Sequence, residues 1–120
     1  MKIYVSHSSK GDFQTELYEP LKSGLPNHTL IFPHEESSEP ENTWDTIRGV
    51  DAVLAEVSTP STGQGIEIGW ADASGIPVVA LHKVGTTPSS SLGIVAKKVL
   101  TYENVQDIPA VARVLVNTVA

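Results

Sequence analysis

The stretch Ser58-Thr59-Pro60-Ser61-Thr62-Gly63-Gln64-Gly65-Ile66-Glu67-Ile68-Gly69 concentrates the residue types that could do chemistry. Small residues, with Gly63 and Gly65 among them, let backbone N–H groups approach a ligand at the start of a helix, where negative charge is favoured. Glu67 falls in the first turns of that helix, between Ile66 and Ile68. The helix dipole helps to keep such a carboxylate ionised. An ionised carboxylate held near an apolar wall can attack an electrophilic sugar carbon and form a glycosyl ester. A plainer reading is an acid that only complements the helix dipole. Spacing alone fits both.

Other candidates surround this one. Asp51 precedes the apolar run Ala52-Val53-Leu54-Ala55, which reads as the start of a strand and the end away from a ligand crevice. Glu56 interrupts the same run near its carboxyl end, where it could reach a site or bond neighbouring backbone. His34 follows a strand pattern directly and so sits at a ligand end, although a lone loop histidine is usually just solvated. None of His7, His28, His34 and His82 has a second histidine at ligand spacing, so no metal is expected. Ser6, Ser8, Ser9 and Lys10 could cradle a phosphate with hydroxyls, amides and one cation. Ser89-Ser90-Ser91 could do the same, or form a flexible loop. No G-x-G-x-x-G follows the first strand pattern and no P-loop lysine motif is present, so dinucleotide or ATP binding of those types is unsupported. With no cysteine, thiol nucleophiles, disulfides and Cys-type zinc sites are excluded.

The elements that must position these groups follow from periodicity. Strand patterns occupy 2–5, 29–32, 51–57, 77–81 and 98–102. Between the first two, Phe13, Leu17 and Leu21 recur every four residues in a helix that should end or kink near Glu19, with Pro20 opening a last turn that stops at Gly24. Thr43 is placed to cap a short helix carrying Trp44, Ile47 and Val50. Ser61 and Gln64 stand three apart, as a capping box requires, before a helix that Gly75 stops. A short turn or helix near 92–96 precedes the fifth strand. Ile108, Val111, Leu115 and Val119 form one stripe of a final helix. The segment 34–42 is acidic, contains Ser and Pro, and reads as a loop.

Strands alternating with helices imply an α/β fold: a three-layer, doubly wound, five-stranded parallel sheet, flavodoxin-like or Rossmann-like, formed by residues 1–120 as one domain. Ligands in such sheets bind beyond the carboxyl ends of the strands, which points to the loops starting at Ser6, Pro33, Ser58 and His82. Fourteen acids against eight bases give a formal charge of −6, which argues against a nucleic-acid polymer or an anionic membrane as partner. The opening residues run straight into a strand pattern with no secretory hydrophobic region, so a cytoplasmic location is expected.

Tyr4 in the first strand, the run Asp51-Ala52-Val53-Leu54-Ala55-Glu56-Val57-Ser58, then Pro60-Ser61-x-Gly63-x-Gly65-x-Glu67-x-Gly69 and Gly75-x-Pro77-Val78-Val79, resemble the nucleoside 2-deoxyribosyltransferase family. Its 2′-deoxynucleoside 5′-monophosphate N-glycosidase branch is the most similar. The resemblance runs from about residue 2 to about residue 102 and is most specific over 51–69. It implies Glu67 as the nucleophile on C1′, Asp51 as the acid that assists departure of the base, and Tyr4 as the tyrosine that helps to hold the nucleophile. Ser8, Lys10 and Ser61 match residues that hold the 5′-phosphate, Ser91 a serine given by a neighbouring subunit, and His34 a histidine after the second strand. The chain departs from the pattern in three places. Ile66 replaces a tyrosine, Ser6-His7-Ser8-Ser9 replaces a small glycine-containing loop, and Lys10 replaces an arginine, losing the bidentate fork but keeping the charge.

The resemblance implies an enzyme that cleaves, or exchanges the base at, the N-glycosidic bond of a small-molecule nucleoside or nucleotide. It implies no cofactor, and a homodimer or larger homo-oligomer with each site completed by a neighbour; Trp70 and its helix are candidates for that contact. Tyr4-Val5-Ser6-His7-Ser8-Ser9-Lys10 is also similar to the start of Toll/interleukin-receptor domains, some of which cleave NAD with a glutamate. A nucleotide-binding module without turnover is the non-enzyme alternative.

Overall fold

A computed structural model describes residues 1–35 and 41–119. The expected loop over 34–42 therefore lies partly outside the described residues. The chain runs through β1 (Lys2–His7), a π-helical turn (Gln14–Tyr18), α1 (Glu19–Gly24), β2 (Thr29–Ile31) and α2 (Trp44–Arg48). It continues through β3 (Ala52–Glu56), α3 (Thr62–Ala73), β4 (Val78–Lys83), α4 (Leu92–Val95), β5 (Lys98–Tyr102) and α5 (Ile108–Val119). The sheet is wholly parallel, in the order β2-β1-β3-β4-β5. This is the flavodoxin-like order. Its direction reverses between β1 and β3, and a crevice opens there beyond the carboxyl ends of the strands.

Alternation along each strand builds the two outer layers. On one face Ile3, Val5, Leu54, Val79 and Leu81 pack with Leu21 of α1 and Ile108 and Leu115 of α5. On the other, Tyr4, Val53, Ala55, Val78 and Ala80 pack with Ile47 of α2 and Ile68 and Ala71 of α3. Period two in β1 thus sends Tyr4 and Ser6 towards α3, and Val5 and His7 towards α1. Two glycines are required where they stand. A Cβ on Gly24 would lie 2.6 Å from Cα of Pro109, so the α1–α5 contact depends on its absence. Gly75 takes φ +74° just past α3, the left-handed position that stops a helix.

The helix kink expected at Pro20 takes the form of a π-turn passing into α1, with Pro20 in the first turn where its missing N–H costs nothing. β1 extends two residues beyond the expected 2–5, because Ser6 and His7 pair with Ala55 and Glu56 of β3. That extension turns two expected loop residues into strand residues of fixed facing. It matters directly for the site.

Candidate active site

Glu67 lies on α3 five residues into the helix, half-buried, with its carboxylate against the carboxyl end of β1. Three hydroxyls donate to it. Ser6 Oγ reaches Oε1 at 2.9 Å, Thr43 Oγ1 reaches Oε2 at 2.7 Å, and the Tyr4 phenol donates to Oε2 as well. A carboxylate offers about four acceptor positions, and these donors, counted among the described residues, fill three and fix its orientation. The donors come from β1 and from the residue preceding α2, elements far apart in sequence. Burial pushes the Tyr4 phenol well above its ordinary pKa of 10.0, and the hydrogen bond to Glu67 adds to the rise. Tyr4 therefore stays a donor throughout the working pH range.

Two of these contacts replace the local bonds that spacing suggested. Thr43 precedes α2 but makes no side-chain cap bond, because its hydroxyl goes to Glu67; Asn42 Oδ1 accepts the Trp44 N–H at 3.0 Å instead. The capping box at α3 forms by half. Ser61 Oγ accepts the Gln64 N–H at 3.4 Å, while the buried Gln64 side chain donates to the carbonyls of Ser6, at 3.1 Å, and Glu56, at 2.7 Å. Gln64 therefore ties the ends of β1 and β3 to the first turn of α3, one turn before Glu67. Thr43 and Gln64 are the site residues that sequence reasoning missed. Both carried a capping signal, which pointed to a local partner.

A cavity of about 300 Å³ opens over Glu67, lined also by Thr43, His34, Glu41, Trp70 and the Ser61–Gly63 turn. His7 borders it from the opposite face of β1. Its Nδ1 lies 2.6 Å from the Ser8 carbonyl oxygen, which only accepts, so Nδ1 carries the proton. Its Nε2 then accepts from the Tyr18 hydroxyl at 2.5 Å, and that oxygen accepts the His34 N–H at 3.2 Å. Burial holds the His7 pKa below its ordinary 6.5. His7 is thus neutral, with both ring nitrogens hydrogen-bonded. Burial also raises the Tyr18 phenol to about 12.

The other expected site residues divide by location. His34, Ser61 and Gly63 line the Glu67 cavity. Ser8 and Lys10 line a neighbouring cavity of about 200 Å³ with Lys83 and Glu56, and Ser8 Oγ accepts the Lys10 N–H at 3.2 Å. Gly65 and Ser91 face an apolar groove of about 510 Å³ between α3 and α4, which Ser61 also borders. This groove is larger than the Glu67 cavity but holds no titratable side chain. The expected phosphate set does not converge on one place. Asp51 requires a correction: it is exposed at the amino end of β3, where Oδ2 accepts the Lys2 N–H at 2.8 Å. It lies about 13 Å along the strand from Ala55, the residue level with Ser6, since a strand rises about 3.3 Å per residue. An acid there cannot reach a base leaving from a sugar held at Glu67. Among the described residues no cluster of three or more His, Asp or Glu side chains is disposed for a metal ion, and no helix is long and apolar enough to cross a membrane.

The class this geometry defines is a flavodoxin-ordered α/β protein with a hydroxyl-held glutamate beside its switch point. No protein-family model matches the chain. Over 47 residues it is 49% identical to the protein named Putative 2′-deoxynucleoside 5′-phosphate N-hydrolase 1 of Syntrophotalea carbinolica, a stretch covering 38% of this chain and 33% of that protein. The match thus spans about a third of that relative's length. A solved 2-deoxyribosyltransferase from Bacillus psychrosaccharolyticus superposes with TM-score 0.65 at 18% identity, over 91% of this chain and 90% of its own. The CMP N-glycosidase of Clostridium botulinum gives TM-score 0.65 at 14% identity, covering 96% and 99%. A conserved protein from Enterococcus faecalis gives 0.61 at 19% identity, over 92% and 95%. The five-stranded parallel α/β fold is the one these structures share.

Proposed function

We propose that this protein is an enzyme that breaks the N-glycosidic bond of a nucleoside or 2′-deoxynucleoside 5′-monophosphate, by hydrolysis or by transfer to a second base. The observation that carries this reading is the Glu67 carboxylate, lining an open cavity while Tyr4, Ser6 and Thr43 donate to it. The match to the Syntrophotalea protein supports the substrate class. One Glu67 oxygen attacks C1′ through an oxocarbenium-like transition state. The C1′–N bond breaks, its electron pair goes to the base nitrogen, and a glycosyl ester forms on Glu67. Water then attacks C1′, gives up one proton, and releases the sugar with Glu67 again ionised; in transfer, an acceptor base takes the place of water. Positioning supplies much of the rate.

With Asp51 remote, the proton for the departing base comes from another group in the cavity. Among the described residues, His34 and Glu41 also line that cavity with titratable side chains. A 5′-phosphate would be met by the Ser61–Gly63 turn at the start of α3, with Ser8 and Lys10 at the neighbouring cavity. We place the protein in the cytoplasm as a homodimer or larger homo-oligomer, Ser91 facing the neighbouring subunit, with no cofactor.

The test is chromatography of free bases after incubation with the four deoxynucleoside monophosphates, their nucleosides and NAD, with and without an acceptor base. Base release that Glu67→Gln abolishes is the expected result. Exchange only with added base makes the protein a transferase. Nicotinamide release alone overturns the reading in favour of NAD cleavage, and saturable binding without any release makes the protein a binding module.

A further inference from the structure

The cavity over Glu67 has one wall that the chemistry above does not use. Trp70 stands three residues after Glu67 on α3, a spacing that puts both side chains on one helix face, and it lines the same cavity, half-buried. Pro33 and Ile66 line the cavity too, and Ile66 is 49% exposed. The indole is braced by a second ring. Its ring meets Trp44 edge-to-face at 5.4 Å and 62°, and the Arg48 guanidinium sits 4.8 Å from the centre of the Trp44 ring. Trp44 directly follows Thr43, which holds Glu67, so the brace and the glutamate's support share one segment.

A fixed indole presented to a wet cavity leaves apolar area in water, and a flat heterocycle laid against it recovers that area. Among the described residues no lysine or arginine lines the cavity, whereas Glu41 and Glu67 do. That favours a neutral aromatic ring over an anionic group at this wall. We infer that Trp70, braced by Trp44, is the stacking platform for the nucleobase of the substrate. The inference rests on the proposed chemistry at Glu67 and specifies which end of the substrate lies along α3. Stacking reads the face of a ring and not its edge, so the platform accepts all bases and holds purines more tightly than pyrimidines.

The chain has two tryptophans, which makes the test direct. Under tryptophan-selective excitation Trp44→Phe emits from Trp70 alone, and adenine should quench it saturably. In Trp70→Phe only Trp44 emits, and adenine should leave it nearly unchanged. For base release, Trp70→Ala should raise KM about tenfold with kcat changed less, and Trp70→Phe should restore most of the loss. A flat response in Trp44→Phe together with an unchanged KM in Trp70→Ala overturns the inference. So does emission that follows protein concentration and ignores adenine, the result expected if Trp70 were buried between two copies of the chain. Adenine quenching of Trp70 without base release from any substrate would keep the platform and sink the proposed reaction. Glu67-dependent release with no Trp70 response would do the reverse.

Discussion

Two carboxylates stand near the carboxyl ends of the central strands, and their partners differ in kind. Glu56, at the end of β3, accepts the backbone N–H of Ser58 at 2.6 Å and the Tyr102 hydroxyl at 2.9 Å. It closes its own turn and ties β3 to the end of β5. Burial, with the Glu56 charge second, pushes the Tyr102 phenol up to about 12, which keeps that tie protonated. Among the described residues, the bonds Glu67 accepts come from side-chain hydroxyls of β1 and the α2 entry, elements remote in sequence. A carboxylate closed by local backbone maintains a turn. One held by remote hydroxyls at a cavity wall keeps an orientation that its own turn does not set.

The sharpest way to break that comparison is to neutralise each acid in turn. Glu67→Gln should lower base release by on the order of 10³-fold or more, as loss of a nucleophile does, while the fold persists. Glu56→Gln should leave base release within a few-fold and cost about 1–3 kcal/mol of stability in urea melts, because a half-buried, doubly hydrogen-bonded carboxylate loses its match. Equal losses of activity in the two variants would erase the distinction.

A smaller effect sharpens it. Thr43→Val removes one hydroxyl from Glu67 and should lower kcat about tenfold, the scale of a hydrogen bond to a charged group. In the Glu67→Gln background the same change should cost much less, since the two residues act together. Full additivity in that double variant would mean that Thr43 serves α2 and not Glu67.

The smallest effect belongs to the other face of β1. Folding holds the His7 pKa below 6.5, so below that pH the unfolded chain binds a proton that the folded one resists. Stability is then fully present above about pH 6.5 and declines as the pH falls towards the folded value, since the unfolded state binds more protons there. Urea midpoints measured between about pH 8 and about pH 5 should show the decline, and His7→Asn should flatten it. A slope unchanged in that variant would assign the acid sensitivity to another group.

Much of the fold was legible because it is written in local periodicity. The five strands, the Pro20 interruption, the stop at Gly75 and the buried Ile108 and Leu115 of α5 all follow from facing or from backbone freedom. The place of Glu67 in the first turns of a helix was legible for the same reason, from glycines and a capping pattern at the helix start. The resemblance brought Tyr4 to attention. It also put Asp51 at the site, a position that the simpler reading as a strand-start residue had already questioned. Facing and polarity along a strand indicate which end a residue occupies.

By itself the sequence determined a parallel α/β sheet and a glycine-containing helix start carrying Glu67. Given β1, it also determined that Tyr4 and Ser6 face the same way, since alternation is a property of any strand. Only the tertiary structure decided which hydroxyls meet the carboxylate. Thr43 and Gln64 each had a local cap within reach and took a distant partner instead. Ser8 and Lys10 went to one cavity, Ser91 to another and Asp51 to the far end of β3. The physical reason is that a side chain's direction is fixed by its own few residues. The identity of what lies in that direction depends on strand order, register and the crossing of α3 over the sheet, which the whole chain sets.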